Sequence, residues 1–384
     1  MSNGFYNKNK TKVRKIIIVV FIIIIDHICS IFFIPESSFY NDFRVQHSYY
    51  HHSLLPNQSC RTNINVQNQL NAGILNLPFI AGEDYVVKTN SLGFIDHSER
   101  NIPLSTQKDR MLFIGGSYVE GYGCTFDSSF VGLLYNKYDQ NQYEILNAGV
   151  IAYSPKLIYL KTKFLIEVTK LKFNKLIVFA NTVEISDEII YESFVPKISK
   201  NDADYNSRKN KAIKYLRKNS FLYFALSEIY RGRNFLKDPT KPSSTLPLCE
   251  DVWPTKQDYI NQRLYWEDSV NYEKWGKKGF TLAQTNISSL FELCRNYNIE
   301  MIVVTHPLPE EVLEHHIECK YVQLWENYCK KYNAQFINLY PVFMNNSLSP
   351  EEVVNTYYIK GDGHWTHKGH KLVADYLYNN LNIN

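Results

Sequence analysis

The chain has no CxxC pair. Its seven cysteines, at positions 29, 60, 124, 249, 294, 319 and 329, stand singly. That scatter excludes a zinc-ribbon spacing and a disulfide framework, leaving open one bridge involving Cys60 or Cys249. No Gly-Lys-Ser/Thr phosphate loop and no GxGxxG dinucleotide fingerprint is present, so no cofactor is expected. There is no internal repeat. An excess of one charge is also missing: 42 Lys and Arg face 38 Asp and Glu, for a net charge of +4. Five of those cations, Lys8, Lys10, Lys12, Arg14 and Lys15, lie in the first fifteen residues, which hold no acid. Without them the remainder carries −1. A nucleic-acid-binding surface spread over the folded part is thereby excluded. What the 384 residues do have is a 45 % hydrophobic content and 15 % aromatics, enough to bury one large core and too much for a wholly disordered chain.

Long apolar runs are rare, and one is conspicuous. Ile16 to Ile34 would rise about 28 Å as a helix, close to the hydrocarbon thickness of a bilayer. The basic cluster before it places the N-terminus in the cytoplasm and exports the rest of the chain to the periplasm or the cell exterior. A cleaved signal peptide would have a shorter core ending in small residues. Here the run continues through Phe32 and Phe33, so an uncleaved single-pass anchor is the reading. Asp26 and His27 interrupt it. Either the pair snorkels or meets another chain, or it marks contact with a membrane partner.

Residues 36–105 read as an irregular lead-in, rich in turn residues. From there the pattern becomes regular. Apolar runs at 110–115, 143–148, 175–180, 300–305 and 335–339 read as buried parallel strands. Amphipathic stretches at 128–138, 154–171, 281–297, 310–332 and 366–381 read as helices between and after them. The alternation predicts an α/β domain over 106–384, with a parallel sheet of about five strands covered on both faces. A polar stretch at about 190–278 breaks the rhythm and reads as an insertion on the rim, helical around 211–230. In such sheets the chemistry belongs beyond the carboxyl ends of the strands.

Three motifs fall there. Gly115-Gly116-Ser117 follows the first strand, where glycines allow a tight turn that exposes the hydroxyl. Asn147-Ala-Gly149 follows the second, offering a backbone N–H or merely a turn. Near the end stands Asp362-Gly-His364-Trp-Thr-His367-Lys-Gly369-His370. Residues two apart on an extended chain point the same way, so Asp362 and His364 can share a pocket, a histidine base with its carboxylate. A metal set of the three histidines with Asp362 fits poorly, because their spacing drifts around a helix. His367 and His370 read as solvated helix residues, and Trp365 as packing.

Together, in this order, these blocks resemble the SGNH/GDSL hydrolases, among them exported bacterial members related to polysaccharide acetyl-esterases and acetyltransferases. Thr89-Asn-Ser-Leu-Gly-Phe94 and Tyr49-Tyr-His-His52 are similar to segments upstream of the serine block in such members. The resemblance implies a flavodoxin-like α/β/α fold and serine-ester chemistry, with Ser117 as nucleophile, His364 as base and Asp362 as its orienting acid. It implies an oxyanion hole built from the N–H groups of Ser117 and Gly149 and from an asparagine after the third strand. Aligning the acidic positions puts Val183 at that third place; Asn181, two residues earlier on the same face, is the candidate donor. Gly116 replaces the aspartate usual in the serine block. The implied function is a membrane-anchored esterase or O-acyltransferase on an acylated carbohydrate or other ester. The alternative is a weak or inactive glycan-binding scaffold of surface-polysaccharide assembly, since losing one oxyanion donor lowers turnover about 10² to 10³-fold.

Overall fold

A computed structural model describes residues 2–34, 44–62, 85–198, 208–237, 261, 264–344, 347–360 and 362–381. The elements in chain order are α1 (Ser2–Phe33), β1 (Arg44–His47), β2 (His51–Leu54), β3 (Gln58–Thr62), β4 (Tyr85–Thr89), β5 (Asp109–Ile114), α2 (Ser117–Glu120), α3 (Phe130–Lys137), β6 (Tyr143–Asn147), α4 (Pro155–Glu167), β7 (Lys175–Ala180), α5 (Glu184–Ile190), α6 (Arg208–Asn219), α7 (Phe221–Lys237), α8 (Lys277–Asn296), β8 (Glu300–Thr305), α9 (Pro309–Leu313), α10 (Lys320–Tyr332), β9 (Gln335–Asn338), α11 (Tyr340–Met344), α12 (Pro350–Tyr357) and α13 (His367–Asn380). They fall into two compact units. One comprises residues 1–42 and 199–247, the other 43–198 and 248–384.

In the first unit α1 is a continuous helix whose stretch Lys10–Phe33 is long and apolar enough to cross a membrane. It packs against α6 and α7, the two helices of the polar insertion. The second unit is built on a five-stranded parallel sheet in the order β6-β5-β7-β8-β9. Its inner strands are apolar after their charged first residues, as in DRMLFI and KLIVFA, so both faces must be covered; β7 is buried at every residue. Helices α4, α8 and α10 pack together on one side, while α3 and α13 pack together on the other, giving the three layers read from the sequence. Trp325, Trp365, Phe113 and Phe130 are fully buried in this unit.

Three parts differ from the sequence reading. The lead-in is not irregular throughout: β1 and β2 form an antiparallel hairpin, and β3 pairs with β4 across Gln58↔Thr89 to Thr62↔Tyr85. The helix expected over 310–332 is two helices. α9 stops because His315 takes a left-handed φ of 53°, and α10 restarts on the Cys319 cap. His370 is not solvated: it is buried, and its Nδ1 accepts the Phe130 N–H at 3.2 Å. Burial pushes its imidazole down to about 3, so it stays neutral. His367 is exposed, and Trp365 is packing, as read. Cys60 is buried, its Sγ donating to the Arg61 carbonyl at 3.3 Å, and Cys249 lies outside the described residues.

Candidate active site

The strand order reverses direction between β5 and β7, and at such a switch point the ends of neighbouring strands open a crevice. Ser117 follows β5 and Asn181 follows β7, so the crevice is flanked by both. Gly115 makes the approach possible: a Cβ there would lie 2.8 Å from Val119 Cγ2 and 2.9 Å from the Phe179 carbonyl oxygen. The chain then turns at Gly116 into α2, with Ser117 as its first residue. As a first helical residue, Ser117 has no partner for its N–H within the helix.

The loop before α13 supplies the second component. His364 Nε2 lies 2.6 Å from Ser117 Oγ, and His364 Nδ1 bonds Asp362 Oδ1. The carboxylate can only accept, so Nδ1 carries the proton and the Nε2 lone pair faces the serine hydroxyl. Asp362 Oδ1 also accepts the His364 backbone N–H at 3.1 Å, a turn made possible by Gly363 at φ 90°. The Asp362 side chain has no solvent exposure. Tyr118, next to the serine, donates its hydroxyl to the Gly363 carbonyl at 2.7 Å. Burial holds that phenol well above its ordinary pKa, so it remains a donor across the physiological range. The residue beside Ser117 thereby ties it to the loop carrying Asp362 and His364.

The loop after β6 is the third component. Asn147 straps it to α2, donating from Nδ2 to the Val119 carbonyl at 2.6 Å and accepting the Gly149 N–H on Oδ1 at 3.0 Å. The Gly149 N–H expected to meet an oxyanion is thus engaged. The glycine serves packing: a Cβ there would come within 2.6 Å of the Glu120 nitrogen and of Val119 Cβ. Three residues on, Ala152 has a left-handed φ of 58°, which an L-residue adopts at a cost of about 1–2 kcal/mol. The neighbouring Tyr153 carbonyl oxygen lies 3.9 Å from where a Gly116 Cβ would sit, so this turn borders the serine.

Several residues hold it. Glu120 Oε2 accepts the Ile151 N–H at 2.7 Å, and Glu120 is itself paired with Arg44, from Nη1 to Oε2 at 3.1 Å and from Nη2 to Oε1. His52 Nε2 donates to the Ile151 carbonyl at 2.8 Å, while Tyr153 donates its hydroxyl to the His52 carbonyl at 2.7 Å. His52 is fully buried, and burial holds it neutral, far below its usual pKa. Lys161 Nζ donates to the Ala148 carbonyl at 2.8 Å from among the rings of Tyr153, Phe94 and Tyr50. Burial lowers its pKa to about 7. The two upstream motifs have their places as well. Tyr49–His52 carries the buttressing His52. Asn90 closes the Thr89–Phe94 turn, accepting the Leu92 N–H at 3.0 Å, and Ile95 donates its N–H to the Asn147 carbonyl at 3.1 Å.

Asn181 stands at the fourth side. Its Oδ1 accepts the Val183 N–H at 3.2 Å, which turns the Nδ2 donor toward His306 Nε2, 3.5 Å away. That contact is long and readily exchanged for a better acceptor. His306 is buried 4.2 Å, ring to ring, from Tyr118, and burial lowers its pKa to about 3. Val183 presents no side-chain donor. Among the described residues no cluster of three His, Cys, Asp or Glu is disposed to hold a metal.

No protein-family model matches the chain, and no curated protein matches it. Solved structures do. A GDSL-like lipase from Bacteroides thetaiotaomicron is 12% identical over 72% of this chain and 90% of its own, with a TM-score of 0.35. An acetylxylan esterase from Geobacillus stearothermophilus is 10% identical over 72% of this chain and 95% of its own, at 0.38. The psychrotrophic esterase EstA from a Pseudoalteromonas species is 12% identical over 71% of this chain and 96% of its own, at 0.35. Likeness at this level says nothing about the reaction, which has to be read from the residues around Ser117.

Proposed function

We propose that the protein is an SGNH-type serine ester hydrolase or O-acyltransferase. One observation carries the reading: Ser117 Oγ, His364 and Asp362 form an unbroken hydrogen-bonded relay with the tautomer that general-base catalysis needs. In the proposed reaction Ser117 Oγ attacks the acyl carbonyl and His364 Nε2 takes its proton. Asp362 keeps the ring oriented and stabilises the imidazolium. The oxyanion forms against the N–H groups of Ser117 and Ala152 and the Asn181 amide, with Gly149 replaced in this role because its own N–H is bonded to Asn147. As the tetrahedral adduct collapses, the C–O bond to the leaving alcohol breaks and His364 returns the proton to that oxygen, leaving an acyl-Ser117. Water or a second hydroxyl, deprotonated by His364, then attacks the acyl carbonyl and releases the serine.

The acyl group is read as acetyl and the alcohol as a carbohydrate hydroxyl, on the resemblance to exported acetyl-esterase-like proteins. With α1 as an uncleaved anchor, the α/β unit would work outside the cytoplasm. The full-length chain in detergent, given an activated acetyl ester, is expected to turn over with Ser117 and to fall to the uncatalysed rate in Ser117→Ala. Equal rates for the two would overturn the assignment. An acetylated sugar product appearing when a glycan acceptor is added would favour transfer over hydrolysis.

A further inference from the structure

The anchor helix contains two polar residues that a bilayer would leave without partners, and the chain itself supplies them. Asp26 Oδ1 accepts the Leu222 N–H at 2.8 Å, and His27 Nδ1 donates to the Asn219 carbonyl at 3.1 Å. Those backbone groups are loose ends. Leu222 is the second residue of α7 and Asn219 the last of α6, so neither group has a partner within its own helix. The break between the two insertion helices is thus docked on the polar pair of α1, with Phe33 and Phe221 in ring contact 5.7 Å apart beside it.

Docking leaves one face of α7 uncovered. Leu222, Leu226, Ile229 and Tyr230 follow the spacing of a single helical stripe and are 62, 57, 53 and 69 % exposed. Water is a poor neighbour for such a stripe, and α1, against which α7 packs, is equally exposed along Ile16–Ile25. The companion helix reads RKNKAIKYLRKN, with Arg208, Lys209, Lys211, Lys214 and Lys218 and no acid, besides Arg217, which is buried over the Phe224 ring. A second copy of so cationic an element would be repelled, whereas an anionic lipid surface attracts it. An apolar stripe beside a basic segment is the composition of a helix lying in a membrane interface.

We propose that the insertion is a membrane-binding element: α7 sets its stripe among the acyl chains beside α1, and α6 sets its cations other than Arg217 against anionic phospholipid headgroups. This rests on the reading that α1 spans a bilayer, and the test separates the two. The full-length chain is reconstituted into vesicles of phosphatidylcholine with or without phosphatidylglycerol. An environment-sensitive fluorophore is placed on Ile229→Cys, on Ile22→Cys within α1, or on Lys108→Cys on the α/β unit. Wild type labelled in parallel subtracts the native thiols. Spin-labelled lipid is expected to quench the labels at 22 and 229 and to spare that at 108, with stronger quenching at 229 when phosphatidylglycerol is present. Quenching at 22 with none at 229 overturns the membrane role of the insertion and leaves the anchor standing. Absence of quenching at 22 removes the anchor reading and this proposal with it. Equal quenching at 229 in the two lipids overturns the role assigned to the cations of α6.

Discussion

Two loops meet at Ser117, and they are held in different ways. The loop proposed to handle the proton, Asp362 to Trp365, is local. Asp362 and His364 are two residues apart, the carboxylate bonds both the ring and the backbone of the histidine, and one long-range bond from Tyr118 sets the loop against the serine. The loop proposed to face the developing oxyanion, Asn147 to Tyr153, is the opposite. Its shape depends on Arg44, His52 and Glu120, which are remote in sequence, and on a strained alanine. Chemistry that needs two side chains in line can be written in a short motif. Chemistry that needs a backbone N–H aimed at empty space has to be braced from outside, because the N–H direction follows from φ and ψ and not from the residue's identity.

The comparison can be broken at its local end first. Asp362→Asn keeps the shape but presents a donor to His364 Nδ1, favouring the wrong tautomer. Turnover is expected to fall about 10⁴-fold with folding unchanged, as steady-state kinetics and circular dichroism would register. At the braced end, Arg44→Ala leaves Glu120 buried without its ion pair. A loss of about 3–5 kcal/mol in unfolding free energy is expected by chemical denaturation. If that variant is as stable as wild type, the lead-in is not a brace. Asn181→Ala removes one donor and touches neither loop, so kcat should fall about 10² to 10³-fold with KM little changed. An unchanged kcat would take Asn181 out of the oxyanion hole.

The smallest effect sharpens the comparison through pH. Burial lowers the Lys161 pKa from 10.5 to about 7. Between those values the unfolded chain binds more protons than the folded one, so this group makes stability rise with pH over about 7 to 10.5. Lys161→Met cannot titrate. The stability difference between the two is therefore expected to move toward wild type by about 1 kcal/mol or more as the pH is raised from 7 to 9. A pH-independent difference would mean that the amine is not held in the buried state described.

The same contrast explains what could be read from the residues. The five sheet strands were legible because each is an apolar run bounded by turns, and Lys175–Ala180 and Glu300–Thr305 have the expected limits. Strands β1 to β4 were not, because their short, mixed sequences gain order only by pairing across long separations. Ser117 was legible as a residue type just past an apolar run, and Asp362 and His364 as a carboxylate and an imidazole two residues apart. A glycine in sequence does not say whether it is there for a free N–H or for space, and the bond from the Gly149 N–H to Asn147 could not be read from it. Ala152 gave no signal, since alanine is an unexpected residue for a left-handed turn. His370 differs in the same way: only the fold puts the Phe130 N–H against its ring.

The central claim is that Ser117 is a nucleophile activated by His364 and Asp362. It is tested most directly by reacting the intact full-length chain with a fluorophosphonate and mapping the adduct by peptide mass spectrometry. One adduct is expected on the wild type, on Ser117, formed far more slowly in Asp362→Asn and absent in Ser117→Ala. A folded wild-type chain that stays unlabelled, or an adduct that forms as fast in Ser117→Ala, would contradict it.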